Sequence, residues 1–177
     1  MSVDEHRKEA SRASFGCALL TVSDSRTEKT DEGGDLLQNL VERAGHRVNS
    51  RELVPDDKAR IGAAVEAALV RPGIDVVLVT GGTGFSPRDV TVEAVTSMFD
   101  REIPGFGELF RMLSFAEIGA AAMLSRATAG IARARAIFLL PGSPAALELA
   151  LSRLILPELA HLLAQARRSA APGRAES

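Results

Sequence analysis

Apolar residues recur along this chain in two rhythms. Predominantly apolar runs at residues 15–22 and 136–140 predict buried core strands, and the unbroken β-branched and leucine run at 76–80 predicts one buried on both faces. Residues 47–54 alternate charge and aliphatic groups in part, as a strand near a sheet edge would. Between these runs the spacing turns helical. Leu36, Leu37, Leu40, Val41 and Ala44 predict a helix that Gly45 stops, and Ile61, Val65, Ala68 and Leu69 predict one closed by Pro72 and Gly73. Ser86 as N-cap, with Pro87 and Asp89 behind it, predicts a helix start, and residues 91–99 read as helix. A break at 103–107 precedes a helix over 108–118, and 120–131 reads as a short strand or hairpin. Two helices close the pattern, one carrying Leu147, Ala150, Leu151 and Leu154, the other opened by Pro157 with Leu162, Leu163 and Ala166.

Strands alternating with helices predict an α/β fold, a three-layer sandwich with a mostly parallel central sheet flanked by helices. Residues 1–14 read as a charged arm, 15–168 as a single domain, and 169–177, with Ala-Ala-Pro-Gly, as a disordered tail. A length of 177 residues suits one domain, and 46% hydrophobic content supports a sizeable core. The net charge of −2, from 21 basic and 23 acidic residues, offers no overall positive field for nucleic acid or an anionic membrane. Any anionic substrate then needs local donors. With no Trp, no Tyr and seven Phe, platforms for base stacking are scarce. Cys17 lies inside an apolar run, where a buried, inert thiol is the expectation. No apolar run reaches the ~18 residues of a membrane helix, so the reading is a soluble, cytoplasmic protein.

Chemistry concentrates where strand 76–80 empties into Gly81, Gly82, Thr83 and Gly84. Glycines accept positive φ and bring backbone N–H groups close to an anion, while Thr80 and Thr83 add neutral donors. Phosphate is the natural guest, although a tight corner alone would also explain such a turn. The dinucleotide fingerprint fails at Pro87, and the P-loop Gly-Lys-Ser/Thr is missing. Polar loops also follow the strands at residues 23–26, 55–57 and 142–143, and a parallel sheet gathers such loops along one edge. That edge would hold Asp56, Asp89, Arg26 and Arg88 beside the glycines. Carboxylates and a phosphate repel each other unless a cation intervenes, and Mg²⁺, which takes one or two carboxylates plus phosphate oxygens, suits the place. For Asp56 and Asp57 an N-cap with a first-turn charge is the alternative. His6, His46 and His161 show no ligand spacing, and no Gly-x-Ser-x-Gly elbow follows a strand.

Six segments stand in a recognisable order: residues 21–26, 54–57, 80–84 with 88–91, 102–106, 125–127 with Gly130, and 140–144. Together they resemble the MoaB/Mog family of molybdenum cofactor biosynthesis, related to the G domain of gephyrin, over roughly residues 15–165. The resemblance implies a homotrimer or homohexamer that binds molybdopterin at the sheet edge, working with small molecules and possible pathway proteins rather than nucleic acid or membrane. It implies AMP transfer from Mg-ATP to the molybdopterin phosphate, with Asp56 and Asp89 as the essential, metal-organising carboxylates. Thr80, Gly81, Gly82, Thr83, Gly84, Ser86 and Arg88 fall on the pterin phosphate side, and Ser23, Asp24, Pro141, Gly142 and Ser143 on the nucleotide side. Segments 102–106 and 125–127 match without an assigned task. A non-catalytic pterin-binding or scaffolding member of the same family is the competing reading.

Overall fold

The computed structural model describes residues 13–168, so most of the expected arm and the whole expected tail lie outside the described residues. Six strands form one sheet: β1 (Gly16–Val22), β2 (Arg47–Val54), β3 (Val76–Thr80), β4 (Arg101–Glu102), β5 (Thr128–Ala132) and β6 (Arg135–Leu140). Their spatial order is β2-β1-β3-β6-β5-β4. The first four in that order run parallel, β5 is antiparallel to β6, and β4 is antiparallel to β5. β1 and β3 are buried at every position, as their apolar runs require. β2 lies at the sheet edge and alternates in exposure.

Helices cover both faces, giving the three expected layers. On one face α1 (Glu32–Arg43), α4 (Pro104–Ile118), α5 (Pro144–Leu149) and α6 (Leu156–Arg168) bury Leu37, Phe110, Leu147 and Leu163. On the other, α2 (Lys58–Val70) and α3 (Thr91–Val95) bury Ile61, Val65, Leu69 and Val95. The α1 N-cap is Asp31, 3% exposed, which accepts from the Gly34 N–H at 2.9 Å, the Thr21 hydroxyl at 2.9 Å and the Arg51 guanidinium at 2.9 Å. Those donors hold its carboxyl below the usual range against the opposing effect of burial.

Four local expectations change. Ser86 does not cap a helix. The loop folds on itself, with the Ser86 N–H donating to Asp89 Oδ2 at 2.8 Å, and α3 starts only at Thr91. The 91–99 stretch is shorter than expected, because α3 gives way to a 3₁₀ turn at Thr96–Met98. Residues 103–107 are no break, since Pro104 occupies the first turn of α4, where its missing N–H costs nothing. The two closing helices join through a π-helical segment, Ala150–Ile155, so Pro157 opens α6 without interrupting the rod.

The ambiguous stretch after α4 resolves into a 3₁₀ segment, Gly119–Leu124, followed by β5. β5 and β6 then form a hairpin whose two-residue turn is Arg133 (φ 51°) and Ala134 (φ 59°). Such a turn ordinarily announces itself with glycine or asparagine, which this one lacks. Among the described residues no helix is long and apolar enough to cross a membrane.

Candidate functional site

Parallel register brings four strand ends to one rim. Thr21 lies beside Leu53 and Thr80, and Thr80 beside Leu140. Chain order reverses between β1 and β3, the switch point where open α/β sheets leave a crevice. The glycines fit that crevice for reasons of space as well as conformation. Gly81 has φ 94°, and any Cβ on it would collide with the Val22 carbonyl oxygen. Gly82 has φ 63°, and its Cβ would strike the Thr91 hydroxyl and lie 2.9 Å from Asp56 Oδ1. A Cβ on Gly84 would lie 2.7 Å from Asp89 Oδ2. Both carboxylates therefore press against glycine backbone.

The turn is held from behind. The Gly81 N–H donates to Leu140 O at 3.1 Å, while Thr91 donates from its N–H to Gly82 O at 3.0 Å and from its hydroxyl to Gly81 O at 2.8 Å. Among the described residues no acceptor reaches the N–H groups of Gly82, Thr83 and Gly84. These donors border a cleft of about 480 Å³, a volume suited to a small organic ligand. Its polar wall is Gly81, Gly82, Thr83, Gly84 and Asp89, continued by Pro141, Gly142 and Ser143; its apolar wall comes from Phe110, Ile118, Ala121 and Leu124. Ser143 caps α5, its hydroxyl accepting from the Ala146 N–H at 3.3 Å.

The acidic residues have different tasks. Asp57 is the N-cap of α2, accepting from the Arg60 N–H at 2.8 Å, so the capping alternative holds for Asp57 and leaves Asp56 free for the rim. Burial first, then the nearby Asp24 and Asp89 charges, raise the Asp56 carboxyl above the ordinary range. Asp24 moves the other way, held low by its ion pair with Arg88 and by the Asp56 N–H, which donates to it at 3.1 Å.

Other expected residues are engaged within the chain. The Thr80 hydroxyl is buried and donates to Pro141 O at 3.2 Å, so it ties two loops together rather than facing the cleft. Ser23 Oγ accepts from the Arg26 N–H at 3.1 Å, and Arg26 turns away to Thr30 O and Glu32. Ser86 Oγ accepts from the Arg88 N–H at 3.3 Å at the outer rim. Cys17 is buried, and burial pushes its thiol up to about 12.

No three acidic, histidine or cysteine side chains among the described residues form a ready-made metal site. Asp56, beside Gly82, and Asp89, beside Gly84, supply hard oxygen donors of the kind that fit Mg²⁺ completed by phosphate oxygens and water. Two features of the cleft were missed in the sequence. The apolar wall takes Phe110 and Ile118 from the expected helix but Ala121 and Leu124 from a stretch expected as strand or hairpin, and Arg126, which grips the glycine loop, was signalled only by segment 125–127.

Comparison with known proteins agrees with this geometry. Residues 18–161 match the model of the family described as "Probable molybdopterin binding domain". The chain is 51% identical to molybdenum cofactor biosynthesis protein B of Bacillus cereus, covering 95% of this chain and 99% of that one. It is 48% identical to the Bacillus subtilis protein of the same name, over 95% and 99%. A crystal structure of a molybdenum cofactor biosynthesis protein B superposes with TM-score 0.86 at 50% identity, covering 88% of this chain and 98% of the other. The tungsten cofactor synthesizing protein MoaB from Pyrococcus furiosus superposes with TM-score 0.79 at 38% identity, over 87% and 98%. With its glycine cradle, paired carboxylates and switch-point cleft, this chain belongs to the MoaB/Mog family of molybdopterin-binding, molybdenum cofactor biosynthesis proteins.

Proposed function

We propose that the chain binds molybdopterin in the cleft between β3, β6 and α4 and transfers AMP from ATP to the pterin phosphate. A phosphate oxygen of molybdopterin attacks the α-phosphorus of ATP, the bond from that phosphorus to the bridging oxygen breaks, and pyrophosphate leaves with the electron pair. Such chemistry asks the protein mainly for positioning and charge stabilisation. The N–H groups of Gly82, Thr83 and Gly84 bind and orient phosphate oxygens, and the apolar wall of Ile118, Ala121 and Leu124 excludes water from the pterin ring. Gly142 and Ser143, with Ser23 and Asp24 across the rim, take the nucleotide side. Asp56 and Asp89 would hold Mg²⁺, which when bound supplies Lewis-acid neutralisation of the phosphates.

The observation that carries the reading is the set of amide donors at Gly82, Thr83 and Gly84, free among the described residues, with the Asp56 carboxylate beside Gly82 and the Asp89 carboxylate beside Gly84. Incubation with ATP, Mg²⁺ and molybdopterin, followed by mass detection, should yield adenylylated molybdopterin. A titration that shows tight molybdopterin binding with no AMP transfer refutes the transfer step and leaves the non-catalytic reading.

The proposal extends to assembly and place. One face of α4 exposes Leu109, Met112, Phe115 and Ile118, the last three about 60% exposed, and Met123 continues the patch at 75%. An apolar surface of that extent supports a homo-oligomer, and the family resemblance points to three or six chains. Light scattering that finds a single chain at micromolar concentration rules it out. The reaction belongs in the cytoplasm, where ATP is at hand.

A further inference from the structure

The segment Ser125-Arg126-Ala127 stands in the family pattern without a task, and Arg126 sits where the two walls of the cleft meet. Its Nε donates to Thr83 O at 3.3 Å and its Nη2 to Asp89 O at 2.9 Å. Nη1 forms an ion pair with Glu93, and the guanidinium carbon stands 5.3 Å from the centre of the Phe85 ring. The side chain is only 21% exposed, and its neighbour Ser125 lines the cleft on the apolar side. One guanidinium thus ties residues 83–89 of the polar wall to the chain that builds the opposite wall.

Within itself the loop is a small closed unit. The Asp89 N–H donates to Ser86 O at 2.9 Å, and Asp89 Oδ2 accepts from the Ser86 N–H at 2.8 Å. Anything that moves this unit moves the Asp89 carboxylate with it. Among the described residues, the polar contacts that join residues 83–89 to the rest of the chain come from Arg126 and from the Arg88–Asp24 pair, with Thr83 buried at the start of the loop. The second tie is the weaker, because Arg88 is 68% exposed and an exposed ion pair holds little. The first is part-buried, planar and many-pronged, the geometry only arginine supplies.

We propose that Arg126 is the positioning residue that sets the width of the cleft and aims the Asp89 carboxylate, acting through the backbone of residues 83–89. The inference deepens the adenylyl-transfer reading and rests on it for its effect on turnover. Arg126 touches neither reacting atom in this role. Lysine keeps the charge beside Glu93 but cannot reach both carbonyls in one plane, whereas Glu93→Gln removes the ion pair and leaves the carbonyl contacts in place.

The test uses the full chain, with Arg126→Lys, Arg126→Gln and Glu93→Gln. Hydrogen exchange read by mass spectrometry should speed about tenfold at the bonded amides of Ser86, Arg88 and Asp89 in both Arg126 variants and less in Glu93→Gln, with exchange in β3 and β6 unchanged. In the AMP-transfer assay, kcat should fall by about tenfold or more in Arg126→Lys and the Mg²⁺ concentration for half-maximal rate should rise, with KM for ATP little altered. Unchanged loop exchange in Arg126→Gln overturns the proposal whatever the activity of the wild type. A loosened loop with unaltered kcat and Mg²⁺ requirement also overturns it, while leaving adenylyl transfer standing. A wild type that transfers no AMP defeats the functional reading instead. The clamp is then decided by the exchange rates and by a molybdopterin titration, in which Arg126→Lys should bind about tenfold more weakly and equal binding overturns the proposal.

Discussion

The two walls of the cleft are built on opposite principles. The polar wall is backbone: Gly81 and Gly82, whose positive φ and crowded surroundings leave no room for a Cβ, are held from behind by Thr91 and Leu140. The apolar wall is side chain: Phe110, Ile118, Ala121 and Leu124, carried on the end of α4 and the 3₁₀ segment behind it. A 3₁₀ run of six residues is long for that geometry, and it begins at Gly119 with φ 63° and open space where a Cβ would go. At Gly81 and Gly82 the first wall is fixed by its own backbone, while residues 83–89 take their place from the Arg126 contacts. The second is made of side chains of which Ile118 and Leu124 are more than half exposed, so it can absorb substitution. The polar wall should therefore decide whether the reaction occurs, and the apolar wall how well the pterin is held.

The largest effect should come from Asp89→Asn. The amide oxygen can still accept from the Ser86 N–H, so the loop stays closed and only the charge is lost. AMP transfer should drop by about 10²–10³-fold in a steady-state assay, the size seen when a preorganised electrostatic group is removed. A loss below tenfold would move the metal-organising task away from Asp89.

Leu124→Ala on the other wall, away from the exposed face of α4, should act more gently. Removing apolar atoms from a ligand-facing pocket costs about 1–3 kcal/mol of binding, so KM for molybdopterin should rise roughly tenfold while kcat holds. A fall in kcat with constant KM would break the contrast, because it would give the apolar wall a share in the chemistry.

The smallest effect separates two carboxylates by the sense in which they titrate. Asp31, held low by Thr21, Gly34 and Arg51, contributes stability above its unfolded range that is lost as pH falls through its folded value. Asp56, raised by burial and by Asp24 and Asp89, does the reverse. Its contribution is present in acid, below the unfolded value, and disappears as pH rises through the folded one. At neutral pH Asp56→Asn should therefore raise the melting temperature slightly, an advantage that vanishes in acid, whereas Asp31→Asn should lower it. Thermal melts across pH 3–7 check both signs. A destabilised Asp56→Asn at neutral pH would mean that the carboxylate is structural.

Legibility followed the same divide. The strand ending at Thr80 and its glycines could be read directly, because an unbroken apolar run and a backbone demanding positive φ each admit few residue types. Asp57 as the α2 cap was open to reading but inseparable from Asp56, since both precede the same helix and only the fold turns one inward to Gly82. Ser86 misled for a related reason. Serine, proline and aspartate suit a helix start, yet Asp89 satisfied the Ser86 N–H across a closed loop, and tertiary contact outweighed local preference. The turn at Arg133 and Ala134 carried no turn residue at all.

Pattern along the chain was enough to establish the α/β layering, the buried central strands and the glycine cradle, because each depends on neighbours close in sequence, while the family was legible as a resemblance in six ordered segments. Only folding could bring Arg126 onto Thr83 and Asp89, set Ile118 opposite Gly82, and crowd Asp24, Asp56 and Asp89 into one field. Those relations link residues dozens of positions apart. They arise from sheet register and helix packing, which no local rhythm encodes.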